Sequence, residues 1–418
     1  MKGLIARRGR LYPVLVFVAV LMLTISAMVG VAWGTAPPTT IPVATTQVDS
    51  ITVNASDLGD FPAQPPSIKS PSAIVINMTT GKVLYAHNAH TVRPMASTTK
   101  IMTATLVLEK MGLSDQVVVS ANAVNTPEPV PFLKVGDVFT VEQLLYAMML
   151  RSANSAAVAL AEGCSGTVQD FVALMNQKAA ELGLKDTNFV TPNGLDKPGH
   201  QSTAADMAVL ARYAMQNEEF RKIVSTENYS LPLPGRGTLA CKNTNQLLGK
   251  YGWVTGIKTG LTPKADQCFV GAGTKDGVNI ISVVLGQPKT SACFSESKAL
   301  LLYGFTQYRY VDLMQKGVVV AEAEVPYHVD GRLQLVTAGA VDVELYKDQS
   351  VTASVVVDRP LKLPVRAGDV FGKVTVTVNG EVVGTDDLVA AQSYGKPSLG
   401  GKVAYYWRRL GRLLGRVF

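Results

Sequence analysis

Three short clusters carry the residue types for covalent chemistry: Ser97-Thr98-Thr99-Lys100, Ser152-Ala153-Asn154 and Lys258-Thr259-Gly260. They begin 55 and then 106 positions apart. A serine hydroxyl is a weak nucleophile at its free pKa and needs a base beside it. Ser97 and Lys100, three apart on a helix, share a face, so the amine is the candidate base. It acts only when neutral, a state favoured by burial and by a second cation close at hand. Lys258 is that candidate cation. It also suits a substrate carboxylate, to which the Thr259 hydroxyl adds a hydrogen bond. Gly260 allows a substrate to approach a strand edge closely. Ser152 and Asn154 offer a proton relay and an amide for a substrate peptide. Any one cluster arises by chance; all three, in this order within one domain, form a specific signal.

The elements that must hold these groups are legible in outline. Ala73-Ile74-Val75-Ile76-Asn77 and Lys82-Val83-Leu84-Tyr85 flank Thr79-Thr80-Gly81 as a hairpin. Arg93-Pro94-Met95-Ala96 reads as a turn that delivers Ser97 to the first turn of a helix running to Lys110. The N–H groups of such a turn lack helical partners. Two helical patterns lie in residues 141–162, one in 171–184 and one in 202–216. Strands follow at 267–274 and 278–286, then a helix over 295–308. Strands, a helical block and strands again predict an α+β domain whose sheet draws on both ends of the segment. Beyond Gly317 helical periodicity vanishes in favour of short strands, with Asn379-Gly380 a strong hairpin signal. That stretch, residues 317–386, reads as a small all-β sandwich.

The serine, asparagine and lysine clusters match the S-x-x-K, S-D-N and K-T-G signature of penicillin-binding proteins and class A β-lactamases. More closely, residues 73–104 (AIVINMTTGKVLYAHNAHTVRPMASTTKIMTA) resemble the start of the D-alanyl-D-alanine carboxypeptidases, serine peptidases among the low-molecular-weight penicillin-binding proteins. LRSANSA at 150–156, FVTPNGLD at 189–196, STAADMA at 202–208 and GIKTG at 256–260 are similar as well. The likeness covers roughly residues 67–308, and more loosely the β module and the C-terminal helix. It implies a β-lactamase/transpeptidase-like catalytic domain over 67–312 that removes the terminal D-alanine from peptidoglycan stem peptides. By that resemblance Ser97 forms an acyl-enzyme, Lys100 activates it, and the N–H groups of Ser97 and Leu261 form the oxyanion hole. β-Lactams would acylate the same serine. No cofactor or metal is implied. Alternatives are a DD-endopeptidase, a β-lactamase or a non-catalytic cell-wall scaffold. A class A β-lactamase needs Glu-x-x-x-Asn, whereas Phe189 stands four before Asn193. The intact Ser97, Lys100 and Lys258 argue against a scaffold.

One departure concerns substrate binding. Relatives often carry an arginine just before the Phe-x-Glu-Ser that stands here as Phe294-Ser295-Glu296-Ser297, and it helps hold the substrate's carboxylate. Cys293 occupies that place. Either Lys258 and Thr259 suffice or substrate preference differs. Cys164, Cys241, Cys268 and Cys293 are the four cysteines. An exported chain permits a Cys268–Cys293 bond, but free buried thiols are the default expectation. His200, near the Asn193-Gly194 loop, either lines the site or, as the default expectation, lies at the surface.

The ends of the chain read as membrane signals. Arg7, Arg8 and Arg10 precede an uncharged run from Leu11 to Trp33, the pattern of an export signal or an N-terminal anchor over residues 1–36. Residues 37–66, rich in Pro, Thr, Ser, Val and Ala, read as a flexible tether. Over residues 397–418, Val403, Tyr406, Trp407, Leu410, Leu413, Leu414 and Val417 recur at helical spacing opposite Arg408, Arg409, Arg412 and Arg416. This is the pattern of an amphipathic helix lying on a membrane surface, the alternative being a helix docked on the protein's own surface. The formal charge of +7 fits that surface rather than nucleic acid, since the basic flank places the rest of the chain outside the cytoplasm. Hydrophobic residues at 47% and charged ones at 17% exclude wholesale disorder. The four scattered histidines leave little material for a multi-histidine metal site.

Overall fold

The computed structural model describes residues 50–58, 61, 64–328 and 331–414. The expected export segment and most of the tether lie outside the described residues. The chain divides into two compact units, Leu58–Tyr310 and Met1–Asp57 with Val311–Phe418.

In the larger unit, β1 (Ser72–Asn77) and β2 (Val83–His87) form the first hairpin. A short 3₁₀ turn, Ala96–Thr99, leads into α1 (Lys100–Lys110). The helical block continues with α2 (Val141–Leu150), α3 (Asn154–Ser165), α4 (Val168–Glu181) and α5 (Ala204–Ala214). Then come β3 (Val254–Thr262), β4 (Asp266–Lys275), β5 (Val278–Gln287) and α6 (Thr290–Thr306). The five strands form one antiparallel sheet in the order β2-β1-β5-β4-β3, so the chain's two ends share a sheet as the alternation of elements predicts.

Local sequence explains the helix starts. Thr140 and Gln143 make a reciprocal capping box at α2, and Thr167 and Thr203 accept from the N–H groups of Asp170 and Asp206 at α4 and α5. β1 and β5 read as near-continuous apolar runs because both faces are buried. Ile74, Ile76, Ile281 and Val283 join the core of the helical block. The opposite face meets α6, where Gly304 sits so close to Ile280 and Val75 that a Cβ would be 2.7 Å from an Ile280 methyl.

Among the described residues the smaller unit is all-β apart from a 3₁₀ turn that begins at Ala55 and a terminal helix, Leu399–Leu414. Its main sheet has six antiparallel strands in the order 51–54, 350–357, 370–378, 381–390, 332–337 and 319–324. Asn379 and Gly380 both have positive φ between paired strands, the two-residue hairpin that Asn-Gly favours. The tether reading does not hold for Ile51–Asn54, which pairs with residues 350–353. Ile51, Thr52 and Val53 are β-branched and suit a strand, and the Thr52 and Thr352 hydroxyls lie 3.0 Å apart across the pair.

Candidate active site

Lys100 is among the largest fully buried side chains of the unit and has no exposed surface. As the first residue of α1 it projects back over the preceding 3₁₀ turn, which places its Nζ 2.8 Å from Ser97 Oγ. Nζ also lies 2.8 Å from Asn154 Oδ1 and against the Asn193 carbonyl. Two of the three partners, the Asn154 and Asn193 oxygens, only accept hydrogen bonds. A neutral amine has two N–H groups and one lone pair. When the N–H groups satisfy those two oxygens, the lone pair faces Ser97. The Asn154 amide cannot turn its nitrogen inward without losing the 2.7 Å bond from Nδ2 to the Pro127 carbonyl.

Burial, and then the charge of Lys258, hold the Lys100 amine well below the ordinary lysine range; Glu128 pulls the other way. Lys258 is itself 1% exposed and lowered to about 7 by burial. Its Nζ donates to the Thr259 carbonyl at 3.0 Å. A charge on Lys258 disfavours a second one on Lys100, which favours a neutral amine next to a cation.

β3 lies at the edge of its sheet, beside the Ala96–Thr99 turn. A Cβ on Gly260 would stand 3.0 Å from both the Ala96 Cβ and the Ser97 nitrogen, so only glycine gives that approach. The next residue, Leu261, is exposed. Thr259 Oγ1 meets Thr244 Oγ1 at 2.6 Å, which adds a second hydroxyl beside the Lys258 segment. From the other side Gly194, with φ +86, brings the 193–195 loop onto the backbone of Ala96. Ala96 itself has φ +49, a conformation that costs a non-glycine residue about 1–2 kcal/mol.

Ser97, Lys100, Asn154, Lys258, Thr259 and Gly260 are thus gathered in one place. Ser152 is set differently: it lies between α2 and α3 with φ +64 and is not among the hydrogen-bond partners of Lys100. Sequence reasoning missed Glu128, Pro127, Thr244 and the Asn193 carbonyl; the Pro127-Glu128-Pro129 run was the available sign of a stiff loop. His200 is a correction. It is buried, accepts from the Val190 N–H through Nδ1 at 3.0 Å and turns Nε2 to Thr99 Oγ1 at 2.8 Å. The Thr99 hydroxyl in turn donates to the Ala96 carbonyl. The Gln201–Asn188 bridge adjoins His200. All four cysteines are free. Cys293 is buried and its thiol pushed up to about 12, by burial first and by neighbouring Cys268 next, so it supplies no charge in place of the arginine.

Residues 60–289 match the family model described as D-alanyl-D-alanine carboxypeptidase. The chain belongs to that family. It is therefore a hydrolase, a serine-type D-Ala-D-Ala carboxypeptidase, and residues 308–396 match the C-terminal domain of penicillin-binding protein 5. The D-alanyl-D-alanine carboxypeptidase DacF of Bacillus subtilis is 31% identical over 348 residues, 81% of this chain and 89% of the relative. DacA of Haemophilus influenzae is 32% identical, covering 85% and 93% of the two chains. Among solved structures, penicillin binding protein 5 from Haemophilus influenzae superposes with a TM-score of 0.57 at 30% identity, over 80% of this chain and 100% of that one. The DD-transpeptidase of Streptomyces K15 matches 58% of this chain and 99% of its own, with a TM-score of 0.55 at 35% identity.

Proposed function

We propose that Ser97 is the nucleophile through which this carboxypeptidase removes the terminal D-alanine of peptidoglycan stem peptides. The single observation that carries the assignment is the set of partners around Lys100, which leaves a neutral amine only Ser97 for its lone pair. The Ser97 proton passes to Lys100 Nζ as Oγ attacks the carbonyl carbon of the penultimate D-alanine. The N–H groups of Ser97 and Leu261 receive the developing oxyanion. The C–N bond then breaks, the proton on Lys100 goes to the departing amine, and free D-alanine leaves. Water, deprotonated by the same amine, hydrolyses the acyl-serine and restores the enzyme. Lys258 and the Thr259 and Thr244 hydroxyls hold the substrate's terminal carboxylate. Ser152, between α2 and α3, is the candidate proton relay to the leaving group. A β-lactam meets the same serine, and its ring amide opens in place of the peptide bond.

The test is incubation with a fluorescent penicillin alongside an assay for D-alanine release. Covalent label on the wild type, lost in Ser97→Ala together with D-alanine release, is the expected result. An unlabelled wild type, or label that persists in Ser97→Ala, sinks the assignment.

Family members act on peptidoglycan outside the cytoplasm, and residues 1–36 fit that location as an export segment or anchor. Among the described residues no helix is long and apolar enough to cross a membrane. The C-terminal helix supports contact with the membrane surface instead: Leu399 is 84% and Trp407 70% exposed, costly for apolar groups unless something covers them. The β unit then serves as a pedestal. With residues 1–36 removed from both, the chain ending at Phe418 should co-sediment with anionic vesicles and one ending at Gly400 should not; equal sedimentation argues against membrane docking by the C-terminal helix.

A further inference from the structure

We infer that Glu128 is a positioning residue for the reaction: its carboxylate and the adjacent Pro127 carbonyl hold Asn154, and through Asn154 the Lys100 amine, in register with Ser97. The inference rests on the assignment of Lys100 as the base. α3 begins at Asn154 behind Ala153, which has no side chain able to cap it. The cap comes from another part of the chain. Glu128 Oε2 accepts from the Asn154 N–H at 3.0 Å and the Ser155 N–H at 3.3 Å, and Oε1 accepts from the Ser155 hydroxyl at 2.7 Å. Pro127 accepts from Asn154 Nδ2 at 2.7 Å. One dipeptide thus fixes both the backbone and the side chain of Asn154, and prolines on both sides of Glu128 restrict its loop. A carboxylate here also complements the positive end of α3.

The same carboxylate acts on Lys100 through space. The charged or titratable groups that bear on the amine are Lys258 from β3, Glu128 from the 125–131 loop and His200 from the segment before α5. Lys258 makes Lys100 less basic and Glu128 makes it more so. A base whose pKa falls too far below the working pH is freely available but accepts a proton poorly. Glu128 therefore sets a floor under the basicity that burial and Lys258 reduce.

The experiment is the pH dependence of Ser97 acylation by a fluorescent penicillin in the full chain. Glu128→Gln keeps the shape and one acceptor oxygen, exchanges the other for an NH2 donor, and removes the charge. Its acid limb is expected to move down by several tenths to about one pH unit, for a unit charge acting across a partly buried gap, and its plateau to fall several-fold. Glu128→Asp keeps the charge, so its acid limb stays with the wild type while the plateau falls. A merely structural role would lower both plateaus and leave both limbs in place. An unmoved or upward-moving limb in Glu128→Gln, or an equal shift in the two variants, overturns the inference. A wild type that takes no label would instead defeat the assignment of Ser97 and Lys100. Should Glu128→Gln fail to fold, Glu128→Ser, which likewise lacks the charge, takes its place: an acid limb moved down supports the inference and an unmoved one overturns it.

Discussion

Gly194 rests on the backbone of Ala96 so closely that a Cβ on the glycine would lie 2.0 Å from the Ala96 carbonyl oxygen and 2.9 Å from the Ser97 nitrogen. The neighbour is backbone and cannot rotate away. Gly194 also has φ +86, which strains any other residue. Gly194→Ala should therefore cost roughly 3 kcal/mol or more, strain and overpacking together, and abolish penicillin labelling. Gly136 has nearly the same φ but nothing within 4 Å of a Cβ, so Gly136→Ala should cost only about 1 kcal/mol. Urea unfolding of the two variants separates backbone strain from the close approach.

Activity should be bell-shaped in pH. The rate rises as Lys100 loses its proton and falls as Lys258 loses its own, in the free enzyme near pH 7. A bound carboxylate favours the charged form of Lys258 and raises its pKa. The basic limb of kcat should accordingly lie above that of kcat/KM, and D-alanine release from pH 5 to 10 reads both. Coincident limbs would remove Lys258 from carboxylate binding.

Lys258 is a stability cost that function maintains. Its folded pKa, about 7, is below the unfolded value of about 10.4, so between these the unfolded chain binds more protons and stability rises with pH. The slope approaches about 1.4 kcal/mol per pH unit. Lys258→Met fills the same space without a charge. It should match or exceed wild-type stability at pH 7, lose that portion of the slope, and release D-alanine at least 100-fold more slowly, roughly the loss of one electrostatic contact to the reacting substrate. Denaturant melts at pH 7 and 9 with rate measurements provide the check.

His200 predicts a further acid sensitivity, in stability. Burial lowers its pKa to about 4, and Nδ1 must stay unprotonated to accept from Val190. As pH falls from about 6.5 toward 4 the unfolded chain takes up a proton that the folded chain refuses, so stability declines by up to about 1.4 kcal/mol per unit. His200→Gln has no such group. It should be less stable than wild type at pH 7, and the gap should narrow by pH 5; a gap of constant size contradicts the account.

How much was legible follows from the range of each interaction. Ser97, Lys100 and Lys258 are recognisable because their types and order are constrained together, and the Asn379-Gly380 hairpin because a two-residue turn is written locally. Glu128 acts on residues 26 and 27 positions further on, so no periodicity connects them, and an isolated glutamate between prolines reads as a solvated loop. His200 looked superficial for the same reason, since its partners Thr99 and Val190 are brought to it only by the tertiary fold. Ile51–Asn54 was hidden in a compositional average: four strand-compatible residues in a Pro- and Thr-rich stretch, whose partner strand is nearly 300 positions away.

That early strand has a topological consequence. Because Ile51–Asn54 completes the sheet formed by the C-terminal strands, the hydrolase is spliced into its companion module rather than strung ahead of it. The polypeptide leaves that module to build the hydrolase and then returns to finish what it had begun. Liberating the hydrolase by proteolysis accordingly takes two scissions, one on each side of residues 58–310, and a single nick leaves it leashed.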